Sequence, residues 1–135
     1  GHYHGTSAAL EFAVTELGVE HIIVIGHAHC SGVAAMVRKQ ESGEVGGKFM
    51  TTWTDLLHEA CDRALAVDPG LDGDFLLSAS ERQSVCLSLD NLMTFPFVRE
   101  AVAAGKLILH GWYLNIFEGD LEIWNPAAGT FERVS

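Results

Sequence analysis

The stretch His21-Ile22-Ile23-Val24-Ile25-Gly26-His27-Ala28-His29-Cys30-Ser31-Gly32 decides how the rest of the chain is read. Its first half is a short β-branched run ending in glycine, which predicts a strand buried on both faces, as in a parallel sheet. Ser31 to about Gln40 predicts the helix that follows. In open α/β sheets, sites form where strands end and helices begin. A thiol at a helix N-terminus feels the helix dipole, which favours thiolate. Imidazole nitrogen and thiolate sulfur are both good zinc donors, and residues three apart in a tight turn can reach one metal. His-x-x-Cys alone is a weak signal, however. It describes a packed cysteine beside a polar histidine as readily as a zinc site. His29 competes with His27 as a ligand, but its place beside Cys30 suits a solvent-facing or supporting role. A phosphatase loop also starts from His-Cys after a strand, but it needs an arginine six residues after the cysteine to clamp phosphate oxygens. Met36 stands there.

Outward from this stretch, the pattern stays α/β. Upstream, Thr6 or Ser7 suits the cap of a helix running to about Leu17, with Leu10, Ala13, Val14 and Leu17 as its apolar face and Gly18 as its stop. Downstream, residues 41–48 read as a loop. Trp53, Leu56, Leu57, Ala60, Cys61, Ala64 and Leu65 then recur at helical spacing until Asp68-Pro69-Gly70. A further helix is predicted over about 74–94. Pro96 breaks it, and a short helix follows up to Gly105. Leu107–Ile116 reads as a strand, Glu118-Gly119-Asp120 as a turn, Leu121–Trp124 as its hairpin partner, and 130–134 as a last short strand. The order predicts a single α/β domain over 1–135, a mostly parallel sheet flanked by helices with a C-terminal hairpin. One internal parallel strand before Leu107 is too few for such a sheet, so strands are expected to be missing from the front.

Composition narrows the function class. The formal charge of −10 repels a phosphate backbone, which argues against nucleic-acid binding. No apolar run approaches the ~20 residues of a membrane span. Three cysteines, at 30, 61 and 86, make an odd number without framework spacing. They suit a reducing cytoplasm, with Cys61 and Cys86 read as buried thiols in helical patterns.

Gly26-His27-…-Cys30-…-Gly32 resembles the Gly-His-x-x-Cys-Gly-Gly signature of β-class carbonic anhydrases. Tyr3–Val14 resembles the helix before that signature. Val85-…-Leu89-…-Asn91-Leu92-…-Phe95-Pro96-Phe97-Val98 resembles a later helix and its break. Leu107-…-Leu109-His110-Gly111-Trp112-Tyr113 resembles the late strand, and Gly119-…-Leu121 the turn after it. This collinearity over nearly the whole chain is far more specific than the four-residue motif.

The resemblance implies reversible hydration of carbon dioxide to bicarbonate by attack of zinc-bound hydroxide, with Zn2+ held by two cysteines and one histidine. It makes His27 and Cys30 two of the three metal ligands, and it places Phe12, Ser31 and Gly32 at the substrate pocket. It implies a homodimer or higher homo-oligomer. The strands from Leu107 to Trp124 would offer the pairing edges, with Trp112, Tyr113 and Trp124 as interface or core aromatics. Two departures stand out. Ser31 replaces a glycine usual in the family. The Cys-x-Asp-x-Arg motif that supplies the first cysteine ligand and a catalytic Asp–Arg pair occurs nowhere in the chain. That motif is expected upstream, on a longer native chain. No catalytic side chain is identified here, His2, His4 and His29 match no family ligand, and the 135 residues alone are expected to be poorly active. The alternatives are hydrolysis of a carbon dioxide analogue such as carbonyl sulfide or carbon disulfide, and a non-catalytic oligomeric binding module.

Overall fold

The computed structural model describes residues 5–43 and 55–134. His2, Tyr3, His4, Trp53 and residues 44–48 of the loop predicted over 41–48 lie outside them, while Glu41 and Ser42 of that loop are the last residues of the helix that begins at Ser31. Helix α1 (Gly5–Thr15) leads to β1 (His21–His27) and α2 (Ser31–Ser42). A 3-10 turn (Asp55–Leu57) opens α3 (His58–Val67), followed by α4 (Gly73–Leu92) and α5 (Pro96–Ala103). Strands β2 (Ile108–Asn115), β3 (Asp120–Asn125) and β4 (Thr130–Arg133) complete the chain. The α/β class and the C-terminal hairpin match the sequence reading.

The sheet order is β1-β2-β3-β4. β1 and β2 run parallel, with Val24 opposite Gly111 and Gly26 opposite Tyr113. The other two pairings are antiparallel. The strands expected to leave pairing edges, β2 and β3, are therefore interior. Among the described residues the open edges belong to β1 and β4, because β4 covers β3 and β1 covers β2.

Helix α4 lies across the face formed by Val24, Gly26, Gly111 and Tyr113. Two glycines permit the close approach. A Cβ on Gly26 would stand 2.6 Å from a methyl of Val85, and one on Gly111 would stand 2.9 Å from Leu89 and 3.0 Å from Val85. The glycine before His27 is thus a packing requirement of the strand on its covering helix. Val33, Met36, Val37, Cys61, Ala64 and Leu76 close a second core between α2, α3 and α4. Each fully buried large apolar side chain there contributes ~1.5–3 kcal/mol.

Some local expectations are corrected. Strand β1 is not buried on both faces: its exposure alternates, and Ile23 and Ile25 are 43% and 58% exposed. Thr6 and Ser7 lie inside α1 rather than at its cap. Leu10 and Val14 pack onto the core of Leu92, Val98 and Leu107, whereas Leu17 is exposed because the helix has ended at Thr15. Gly18, at φ 62°, then turns the chain back toward β1.

Candidate metal-binding loop

His27 is the last residue of β1, and Cys30 is the N-cap of α2 in extended conformation (φ −62°, ψ 114°). Ser31 is the first helical residue, as the sequence reading has it. Both proposed ligands therefore sit at the carboxyl end of the strand, on one loop. The ladder continues one residue into that loop, where the Ala28 N–H donates to the Leu114 carbonyl at 2.9 Å.

The imidazole of His27 is oriented by its own neighbour. Nδ1 lies 3.0 Å from the Ala28 carbonyl oxygen. Donation there puts the proton on Nδ1, the tautomer in which Nε2 is the nitrogen able to ligate a metal. Cys30 is half-buried as a free thiol, while Cys61 and Cys86 are buried. Burial is the main cause that pushes the thiols of Cys61 and Cys86 above their ordinary range. Those two are buried packing groups, and Cys30 is the most accessible of the three thiols. His29 is exposed and set edge-on against Phe117, with ring centroids 4.7 Å apart.

The donor chemistry of His27 and Cys30 fits zinc as far as it goes. Among the described residues, no group of three or more His, Cys, Asp or Glu side chains gathers to hold a metal. Of the pocket residues expected from sequence, Ser31 and Gly32 stand beside Cys30 on the first turn of α2, Gly32 buried. Phe12 is on α1, which packs against α5, and the residue is 56% exposed.

Sequence reasoning missed a polar network beneath the loop. The Cys30 N–H donates to Glu81 Oε1 at 2.8 Å, and the Tyr113 hydroxyl donates to Glu81 Oε2 at 2.7 Å. The guanidinium of Arg82 lies 3.9 Å from the centre of the Tyr113 ring. It also grips Glu122 with two hydrogen bonds, at 2.8 and 2.7 Å. That grip is the main cause holding the Arg82 pKa above its ordinary value, against desolvation. Burial, with help from Glu81, pushes Tyr113 up to about 12. A cavity of about 270 Å³ opens beside this network, lined by His29, Ser78, Glu81, Arg82, Tyr113 and Asn115 among others. A larger one, about 550 Å³, lies at the other end of the strands beside His21, Lys106 and Ile108, away from the loop. One signal pointed to Glu81. It shares an i, i+4 row with Val85 and Leu89, which face the sheet, so a carboxylate falls on an apolar row.

Comparison with known proteins supplies the family. The family model described as carbonic anhydrase matches residues 1–121. The chain is 36% identical over 119 residues to beta carbonic anhydrase 5, chloroplastic, of Arabidopsis thaliana, covering 88% of this chain and 39% of that protein. It is 35% identical to beta carbonic anhydrase 6, mitochondrial, of the same plant, covering 88% and 41%. The solved β-carbonic anhydrase CcaA superposes with a TM-score of 0.84 at 29% identity, covering 99% of this chain and 65% of that one. A tetrameric β-carbonic anhydrase of Sordaria macrospora gives a TM-score of 0.75 at 30% identity, covering 89% and 59%. The chain thus spans about two-fifths of the curated relatives' length. Matched by the family model over nearly all of its residues and aligned with named members in sequence and fold, the chain belongs to the carbonic anhydrase family, in its β class.

Proposed function

We propose that the protein carrying this chain is a zinc enzyme that hydrates carbon dioxide reversibly to bicarbonate, with His27 and Cys30 as two of its metal ligands. The observation that carries the reading is the loop itself. Its imidazole has Nδ1 held by a carbonyl, and its half-buried Cys30 stands at the N-cap position of a helix, both at the carboxyl end of a parallel strand. His27 and Cys30 would hold zinc there, and the metal would supply Lewis acidity for activating water. Ser31 and Gly32 would border the substrate, and Phe12 would close the pocket from α1. The named relatives are carbonic anhydrases, which favours carbon dioxide over its sulfur analogues and over a non-catalytic module.

Two donors make a weak zinc site, because a catalytic zinc takes three protein ligands. The 135-residue chain by itself is therefore expected to hold zinc poorly and to turn over slowly. The protein is expected to work as a homodimer or larger assembly, as a tetrameric relative does. The free buried thiols suit a reducing compartment, the cytoplasm among them. No helix among the described residues is long and apolar enough to cross a membrane.

The test is stopped-flow carbon dioxide hydration on the native protein, with zinc measured on the same sample. Cys30→Ser is expected to lose at least tenfold in bound zinc and in rate together. Zinc content and rate both unchanged in that variant would remove Cys30 from the metal and overturn the reading.

A further inference from the structure

The carboxylate of Glu81 has no part in the chemistry described above, yet it touches the loop at its thiol-bearing residue. It projects from the middle of α4, and the residue is 2% exposed. A buried carboxylate is costly unless its oxygens are satisfied, and breaking such a group leaves an uncompensated charge. Both oxygens of Glu81 are satisfied, one by the Cys30 N–H and one by the Tyr113 hydroxyl. Tyr113 is itself immobilised, 2% exposed beneath the Arg82 guanidinium.

The identity of the donor is informative. An N-cap N–H is commonly taken by a Glu or Gln three residues later in the same helix. In α2 that position is Val33, and the N-cap makes no side-chain hydrogen bond of its own. The acceptor comes instead from a residue 51 positions away. A hydrogen bond to an ionised acceptor is roughly twice as strong as a neutral one. The residue before Cys30 shows why a strong anchor is needed. His29, at φ 53°, is the only non-glycine in the left-handed region among the described residues. Such a conformation persists only where the surroundings over-determine it. Here the surroundings are the Ala28 N–H on Leu114, the His29 ring on Phe117, and the Cys30 N–H on Glu81.

We propose that Glu81 is a positioning residue, whose carboxylate, clamped by the Tyr113 hydroxyl, fixes the Cys30 backbone and so aims the thiol at the metal it shares with His27. This rests on the zinc reading given above. Glu81 does not touch substrate or metal in this role. It acts through Cys30, and Tyr113 acts through Glu81.

The experiment uses the native protein, stripped of metal, with Co2+ as probe and the thiolate-to-cobalt absorption as its signature. A second readout needs no metal: the rate at which the Cys30 thiol of the apoprotein reacts with an aromatic disulfide, followed by peptide mapping so that it is separated from the cysteine expected upstream, Cys61 and Cys86 being buried. Glu81→Leu removes both hydrogen bonds at similar volume. It is expected to weaken Co2+ affinity about 10–100-fold, as loss of a supporting group around a metal ligand does. It is also expected to change the Cys30 reaction rate severalfold. Glu81→Gln keeps an oxygen for the Cys30 N–H and offers its amide to the Tyr113 oxygen, so it is expected within about threefold of the parent protein on both measures. Tyr113→Phe keeps the ring under Arg82 and is expected to fall between the two, at least threefold below the parent in Co2+ affinity. A folded Glu81→Leu protein with parental affinity and thiol rate overturns the proposal, as does a Gln variant as impaired as the Leu variant. Should Glu81→Leu not fold, parental Co2+ affinity in Tyr113→Phe overturns it equally. Cobalt binding that survives Cys30→Ser defeats the zinc reading instead. In that event the apoprotein thiol rate still decides whether Glu81 governs the loop.

Discussion

The two faces of the β1–β2 pair differ both in their side chains and in their surroundings. On one face Val24, Gly26, Gly111 and Tyr113 lie under α4, with Gly111 and Tyr113 buried. On the other, Ile23, Ile25, Ile108 and Leu114 remain exposed, beside His21 and His110, whose rings meet with Nδ1 and Nε2 3.0 Å apart. The covered face uses two glycines and a buried carboxylate, residues that a strand or a core ordinarily disfavours. The open face uses three isoleucines and a leucine. An apolar residue therefore does not mark the covered side of this sheet. Small residues mark it, because a helix can approach closely only where the strands carry no Cβ.

This contrast is easiest to break at Gly111. Gly111→Val places branched atoms against Leu89, Val85 and the Cβ of Trp124, all within 3.1 Å of even a bare Cβ. Overpacking of this kind costs typically 1–3 kcal/mol and occasionally more. With three neighbours to move, a loss of about 3 kcal/mol is expected in urea unfolding. A loss below about 1 kcal/mol would show that α4 can lift from the sheet. A second test titrates the covered face. Tyr113 is held protonated up to about 12, against 10.0 for the free group. A raised pKa contributes stability that is complete below the unfolded value and is lost as pH rises from about 10 toward 12. Two pKa units correspond to at most about 2.7 kcal/mol. Tyr113→Phe should lack that slope, so the difference between the two stability curves isolates it. Equal slopes would mean that Tyr113 ionises freely in the folded chain. The smallest effect is expected on the open face. Ile25→Thr in the 135-residue chain should change its stability by less than about 0.5 kcal/mol, as exposed substitutions do. A cost of 2 kcal/mol or more would mean that the face is covered in the sample studied, and sedimentation of the same sample would show whether another copy covers it.

Most of the fold was legible because its signals are local. Apolar spacing located the helices, and Pro96 stands at the first position of α5, where its missing N–H costs nothing. The hairpins were less legible, although one device builds both. Asn115 and Asn125 each accept two backbone N–H groups ahead in the chain, and each turn is completed by a left-handed glycine, Gly119 or Gly129. Only the first turn was read from sequence. The error on β1 has a plain cause. An unbroken run of four β-branched residues looks the same whether one face or two are covered, since a strand's pattern reports its side chains and not its neighbours.

The sequence by itself determined the family, the α/β class and the place of His27 and Cys30 on one loop, because a spacing such as His27-x-x-Cys30 following a strand is written along one segment of chain. Only the tertiary structure decided what holds that loop. Glu81 and Tyr113 lie 51 and 83 positions beyond Cys30. Their meeting with its N–H depends on α4 crossing the sheet at Gly26 and Gly111, and that contact is made in space after the helix and strands have formed.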